Sequence, residues 1–279
     1  MSKITIVTDS TADLTQEEIN QYGIKVVPLS IHIDGEIYQD QVDISPTEFL
    51  DKMAAAKELP KSSQPSSGTF NELYDELGKD GSEVLSIHMT GGMSGTVKSA
   101  EAAAEMTETS VTVMDSRYIS HALSFQVIEA AKLAQQGKKM DEIVQHLNEV
   151  RSKTMLYVVV DKLDNLVKGG RIGKGRAVIG SLLNIKPIAS LQDGVYTPVG
   201  KARSHKQVAT QLFASFKEDT AGKIVKGVGI SHAHGLAMAE PLKRLIEESG
   251  FTDIRFSFTS PVVSTHTGAG AIGFMYYTE

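Results

Sequence analysis

Gly92-Met93-Ser94-Gly95-Thr96 lies between a predicted strand at 83–88 and an Ala-rich helix predicted over 94–106. A serine at such a junction aims its hydroxyl and the unpaired N–H groups of the first helical turn at one spot. The positive end of the helix dipole stands behind them, which suits a carboxylate or a phosphate. The same order of strand, turn and helix frames the nucleophile elbow of serine hydrolases, G-x-S-x-G, although Thr96 occupies the place of the second glycine. A plain N-cap also accounts for Ser94. Ser62-Ser63-Gln64-Pro65-Ser66-Ser67 is rich in hydroxyls and lies in another crossover of the same sheet. Loops of this kind gather outside the carboxyl ends of the strands, where open α/β sheets bind ligands; turn and capping chemistry is the simpler account. His266, in Ser264-Thr265-His266-Thr267-Gly268, stands beside a glycine turn ahead of the last strand. An imidazole there can donate to a carboxylate or serve the fold alone. Thr8-Asp9-Ser10 leaves the first strand at that edge and either shapes the same crevice or caps a turn.

Other motifs fall short of a function. Gly268-Ala269-Gly270-Ala271-Ile272-Gly273 fits G-x-G-x-x-G in letters, but a dinucleotide fingerprint opens a helix and needs an acid about 20 residues further on. Six residues follow Gly273. Gly169-Gly170-Arg171-Ile172-Gly173-Lys174-Gly175 lacks the spacing and the Ser or Thr of a nucleotide P-loop. Arg171, Lys174 and Arg176 then leave a cationic turn that meets an anion or a partner, or is simply solvated. His232-Ala233-His234 offers two metal ligands with no evident third. The chain has no cysteine, so disulfides, a thiolate nucleophile and thiolate-bound metals are excluded. With 34 acidic against 28 basic residues the net charge is −6, the wrong sign for gripping nucleic acid.

The elements that must position these groups can be read along the chain. A strand at 3–8 precedes a helix opened by the capping box Thr15-Gln16-Glu17-Glu18; residues 24–33 alternate into an Asp34-Gly35 hairpin; and Ser45-Pro46-Thr47-Glu48 opens a second helix. Strands at 83–88 and 110–114 alternate with helices near 69–78, 94–106, 117–136 and 141–153, the last capped by Asp141. That rhythm predicts a largely parallel sheet covered on both faces, a three-layer α/β/α arrangement. A buried strand at 155–160 starts a mixed set: a hairpin across Asp193-Gly194, a helix from Ser204, a strand near 225–230, a helix near 235–248 and two closing strands. Two α/β domains are expected, at 1–152 with a mainly parallel sheet and at 153–279 with a mixed sheet. The start lacks the apolar run of a signal peptide, and no apolar stretch approaches the roughly 18 residues of a membrane span, so a cytoplasmic protein is expected.

Taken in order, Thr8-Asp9-Ser10-Thr11-Ala12-Asp13-Leu14, Ser63-Gln64-Pro65-Ser66, Met93-Ser94-Gly95-Thr96, Gly169-Gly170-Arg171-Ile172, residues 180–188, Lys201-Ala202-Arg203 and His266-Thr267-Gly268-Ala269-Gly270-Ala271 resemble the DegV family. The resemblance implies two α/β domains with a long-chain fatty acid between them, its carboxylate bound by Ser62, Ser94 and His266 and its tail in an apolar tunnel that extends into the C-terminal domain. It implies the FakB-like role, the fatty-acid-binding subunit of a bacterial fatty acid kinase in phospholipid metabolism. A separate ATP-binding subunit then phosphorylates the presented carboxylate to an acyl-phosphate. Arg171 and Arg203 are either a docking face for that partner or ion-paired within the second domain. The expectation is thus a carrier and not an enzyme, monomeric alone, with no cofactor and no metal, meeting a membrane only transiently. Departures from the family pattern are Ser62 where Thr is usual, which keeps the hydroxyl, and Met93 for Leu, Val97 for Tyr and Ala269 for Pro, which bear on the tunnel wall and the stiffness of the loop under His266. The alternative is an acyl or lipid hydrolase with Ser94 as nucleophile and His266 as base.

Overall fold

The computed structural model describes residues 3–174, 185–191 and 193–279. Gly175, Arg176 and the 180–184 part of the family-like segment lie outside the described residues. The first sheet is built from β1 (Ile4–Asp9), β2 (Lys25–Val27), β6 (Glu83–His88) and β7 (Val111–Asp115) in the order β2-β1-β6-β7. Every neighbouring pair is parallel, as the alternation of strands and helices requires. The second sheet is mixed and has the order β10-β9-β8-β13-β11-β12. Its strands are β8 (Thr154–Val159), β9 (Lys186–Ser190), β10 (Thr197–Ala202), β11 (Val225–Ala233), β12 (Ile254–Phe258) and β13 (Ala271–Thr278). β11 and β12 are parallel, and the other pairs are antiparallel.

Between the sheets runs α5 (Ser120–Gln135), buried on nearly all sides over its first three turns because it packs on β1 and β6 of one sheet and on β8, β11 and β13 of the other. Its apolar residues join Leu85 and Ile87 of the first sheet to Leu156 and Val158 of the second in one continuous core. The outer face of the first sheet is covered by α3 (Ser67–Leu77) and α4 (Thr96–Ala104), around Val7, Phe70 and Val84. On the far side of the second sheet, α8 (His205–Thr220) and α9 (Leu236–Glu248) cover Val159, Ile230 and Phe274.

Both predicted capping boxes form. Thr15 and Glu18 close the start of α1 (Gln16–Tyr22), and Ser45 and Glu48 that of α2 (Pro46–Ala55), with Pro46 at its favoured first position. Asp141 is not a cap: α6 (Met140–Ser152) begins one residue earlier, Asp141 sits in its first turn, and the Glu142 carboxylate accepts the Lys139 N–H at 3.0 Å. Besides the expected Asp34-Gly35 hairpin, a third strand paired to it and two short helices were not evident from the sequence. The Asp34-Gly35 hairpin joins β3 (Ser30–Ile33) to β4 (Glu36–Gln39), and β3 also pairs with a three-residue strand, β5 (Lys61–Ser63), giving a separate antiparallel sheet β4-β3-β5. Two short helices, α7 (Asp164–Lys168) and α10 (Pro261–Thr267), complete the chain. All three sit at the cavity described next.

Candidate functional site

A cavity of about 320 Å³ opens where β5, the loop after β6, the loop after α7, the β9–β10 hairpin and α10 meet. Ser62 reaches it from β5, where alternation sets Ser62 inward, opposite the fully buried Ile31 of β3, and leaves Lys61 and Ser63 more exposed. His266 reaches it from α10. Val262, Val263, His266 and Thr267 all line the cavity, the spacing of one helical face. Ser62 Oγ and His266 Nε2 lie 2.7 Å apart.

α10 is a helix of β-branched residues, and its start shows why it forms. The Ser260 hydroxyl accepts the Val263 N–H. Two buried carboxylates from the first half of the chain take the neighbouring donors: Asp13 accepts Ser260 N–H at 2.9 Å and Asp40 accepts Val262 N–H at 3.3 Å. Asp13 also accepts the Ser120 and Thr259 hydroxyls, and Asp40 that of Ser10. Burial outweighs these donors and pushes both carboxyls up to about 7.

Ser94 lines the same cavity from the loop after β6. It stands further from the helix than the sequence predicts. α4 begins at Thr96 with Gly95 as its N-cap, and Ser94 Oγ lies 2.8 Å from Thr96 Oγ1 and accepts the Thr96 N–H at 3.3 Å. A Cβ on Gly95 would displace the Gln64 side-chain amide, which donates to Ser99 at 2.9 Å and ties the segment after β5 to α4. The loop is anchored from behind by Asp9, whose carboxylate accepts Met89 N–H at 2.8 Å and pairs with His88 Nδ1 at 3.1 Å. Burial alone would raise the Asp9 carboxyl, but His88, Thr11 and the Met89 N–H hold it below its ordinary value. Thr8-Asp9-Ser10 therefore lies behind the cavity and not on its wall.

Arg171 also lines the cavity, and its partners are carbonyls: Nε donates to Met93 O at 3.2 Å and NH1 to Gly169 O at 2.6 Å. Arg203 is exposed and stands outside the cavity. Burial, with Arg171 second, pushes the His266 imidazole down to about 4. The hairpin wall is set by Thr90, whose hydroxyl donates to Gly194 O at 2.7 Å, and brings Leu191 and Tyr196 to the cavity. The rim residues Ser62, Ser63, Gln64 and Arg171 are at least partly exposed, whereas Leu29, Ile119, Val158, Leu191 and Val262 are buried. The site thus offers hydroxyls, an imidazole and a guanidinium at its opening and an apolar interior behind them.

This arrangement lacks the geometry of a hydrolytic triad among the described residues. The hydroxyl on His266 Nε2 is that of Ser62, the Ser94 hydroxyl bonds Thr96, and His266 Nδ1 is buried with no hydrogen-bond partner where an orienting acid would be needed. The sequence singled out Ser62, Ser94 and His266 but not the apolar wall, whose residues come from seven separated segments with no shared pattern. No helix among the described residues is long and apolar enough to cross a membrane.

A family model for an uncharacterised protein of the DegV family matches residues 3–279. A DegV domain-containing protein of Listeria monocytogenes is 46% identical over 281 residues, covering 100% of both chains. Among solved structures, a fatty-acid-binding DegV family protein from Thermus thermophilus superposes with a TM-score of 0.94 at 33% identity, covering 99% of this chain and 100% of its own. DegV of Bacillus subtilis, described as a fatty acid binding protein, gives 0.91 at 32% identity and covers 100% of both.

Proposed function

We propose that this chain, which belongs to the DegV family, binds a long-chain fatty acid with the carboxylate at Ser62, Ser94 and His266 and the tail in the apolar interior. The observation that carries this reading is one cavity with hydroxyls and an imidazole at its rim and buried aliphatic side chains behind. Related structures of this fold are described as fatty-acid-binding. At about 0.8 kcal/mol per buried methylene, a long acyl chain gains on the order of 10 kcal/mol, so the tail dominates affinity. Each charge-assisted hydrogen bond adds roughly 1.5–3 kcal/mol and fixes orientation.

The finer reading is a carrier that presents this carboxylate to a separate ATP-binding kinase subunit, which converts it to an acyl-phosphate. Residues 1–152 and 153–279 act in it as two domains with the ligand between them, and Arg203, exposed outside the cavity, serves the partner. The test is to load the protein with palmitate, add a fatty acid kinase subunit and ATP, and follow acyl-phosphate. Phosphorylation that depends on this protein, and falls in Arg203→Glu at equal palmitate occupancy, is expected. No phosphorylation would remove the kinase role, and unchanged turnover in the variant would remove Arg203 from it.

A further inference from the structure

The two ring nitrogens of His266 meet different surroundings. Nε2 lies 2.7 Å from Ser62 Oγ, whereas Nδ1 is buried with no hydrogen-bond partner. The wall beside Nδ1 is the backbone of Gly169: a Cβ built there would overlap Nδ1 and come within 2.9 Å of the Asn165 carbonyl oxygen. Gly169 cannot retreat easily, because its N–H donates to Asn165 O at 2.8 Å and its carbonyl accepts Arg171 NH1 at 2.6 Å. A proton on Nδ1 would be a buried donor facing a glycine backbone with no acceptor. An unused lone pair in the same place costs less, and the Arg171 cation one carbonyl away favours it.

With the proton on Nε2, the ring's single N–H donates to Ser62 Oγ, so His266 acts on the carboxylate through Ser62 and not by a bond of its own. This donation engages an oxygen lone pair and leaves the hydroxyl proton free to turn into the cavity, where it requires an acceptor. We propose that Gly169 is a positioning residue that holds His266 as the neutral Nε2–H tautomer, so that Ser62 faces the ligand as a donor and the acid is taken in its ionised carboxylate form. This rests on the fatty-acid reading for the ligand, but not for the tautomer. The surroundings agree with a neutral ring. α10 packs against α2, α7, β3 and β5, and Arg171 is the charged group among the described residues that acts on His266. Glu48, Asp51 and Lys52 of α2, Asp164 and Lys168 of α7 and Lys61 of β5 are exposed, and His32 of β3 pairs with the Ser63 hydroxyl.

Nitrogen-15 NMR of histidine-labelled wild-type protein reads the tautomer directly. Nδ1 at an unprotonated shift and Nε2 at a protonated one, constant between about pH 6 and 8, is the expected result. A protonated Nδ1 would overturn the proposal. In palmitate titrations Gly169→Ala should weaken binding about 10- to 100-fold. In a His266→Ala background the same change should cost several-fold less, since only the close approach to the Asn165 carbonyl oxygen then remains. An equal loss in both backgrounds would show that Gly169 does not act through His266. Hexadecan-1-ol bound as tightly as palmitate would overturn the carboxylate. If wild-type protein takes no palmitate, the fatty-acid reading fails while the NMR result still decides the tautomer.

Discussion

His266 loses its affinity for protons because burial strips water from the imidazole and Arg171 adds a positive field, which brings it down to about 4. The unfolded chain binds this proton near the ordinary histidine value of about 6.5. Between those values the unfolded state therefore holds more proton than the folded one, and stability rises with pH across that window. His266→Gln should flatten that part of the profile, seen as a smaller difference in unfolding midpoint between about pH 4.5 and 6.5; an unchanged slope would contradict the assigned cause. Above that window the ring is already neutral, so palmitate affinity should stay level from about pH 6.5 to 8, where a site built on imidazolium would weaken steadily. Ser62→Ala and Ser94→Ala should each lower affinity about 10- to 100-fold in equilibrium titrations. At this scale the sequence was most informative, since hydroxyl and imidazole types beside turns show in the letters. The tautomer of His266 was not legible, because it depends on Gly169, which lies 97 positions earlier in the chain.

The element that decides the site, α10, was invisible to pattern reasoning. Pro261-Val262-Val263-Ser264-Thr265-His266-Thr267 is rich in β-branched residues, which disfavour a helix. Ser260 caps it, and two distant carboxylates accept the Ser260 and Val262 N–H groups, so long-range contacts override local propensity. The cost is visible in Asp13, raised to about 7 by burial. The folded state keeps this proton where the unfolded chain, near 3.8, has lost it, so the stability linked to Asp13 falls as pH rises from about 4 to about 7. Asp13→Asn should remove this fall. The variant's stability relative to wild type should therefore climb through that window in urea unfolding series, and a difference independent of pH would contradict it. The start of α4 makes a second point. Gly95 looks like part of an elbow motif, yet its constraint is the Gln64 amide packed against it. Gly95→Ala should displace Gln64 and Ser94 together and weaken palmitate binding, while an unaltered affinity would show that the loop adapts.

For the whole molecule, the alternation of strands and helices was enough to predict one parallel sheet followed by a mixed one. What it could not show is that α5 is shared between them, burying apolar side chains against both sheets in one core. It also could not show that β3, β4 and β5 form a third small sheet carrying Ser62, since β5 is only three residues long and carries no hydrophobic pattern. The cavity lies at the meeting of these parts and is lined by segments from both halves of the chain. A ligand bound only by the folded state at about 100 times its Kd adds about 2.7 kcal/mol, which should raise Tm by about 5 °C in a chain of this size. A long-chain fatty acid held by its carboxylate in that cavity would be recovered by organic extraction and mass spectrometry of the purified protein, and the stripped protein can then be titrated with palmitate. A co-purified long-chain acid and saturable reloading that Ser94→Ala impairs are expected. No bound acid and no reloading would contradict fatty-acid binding.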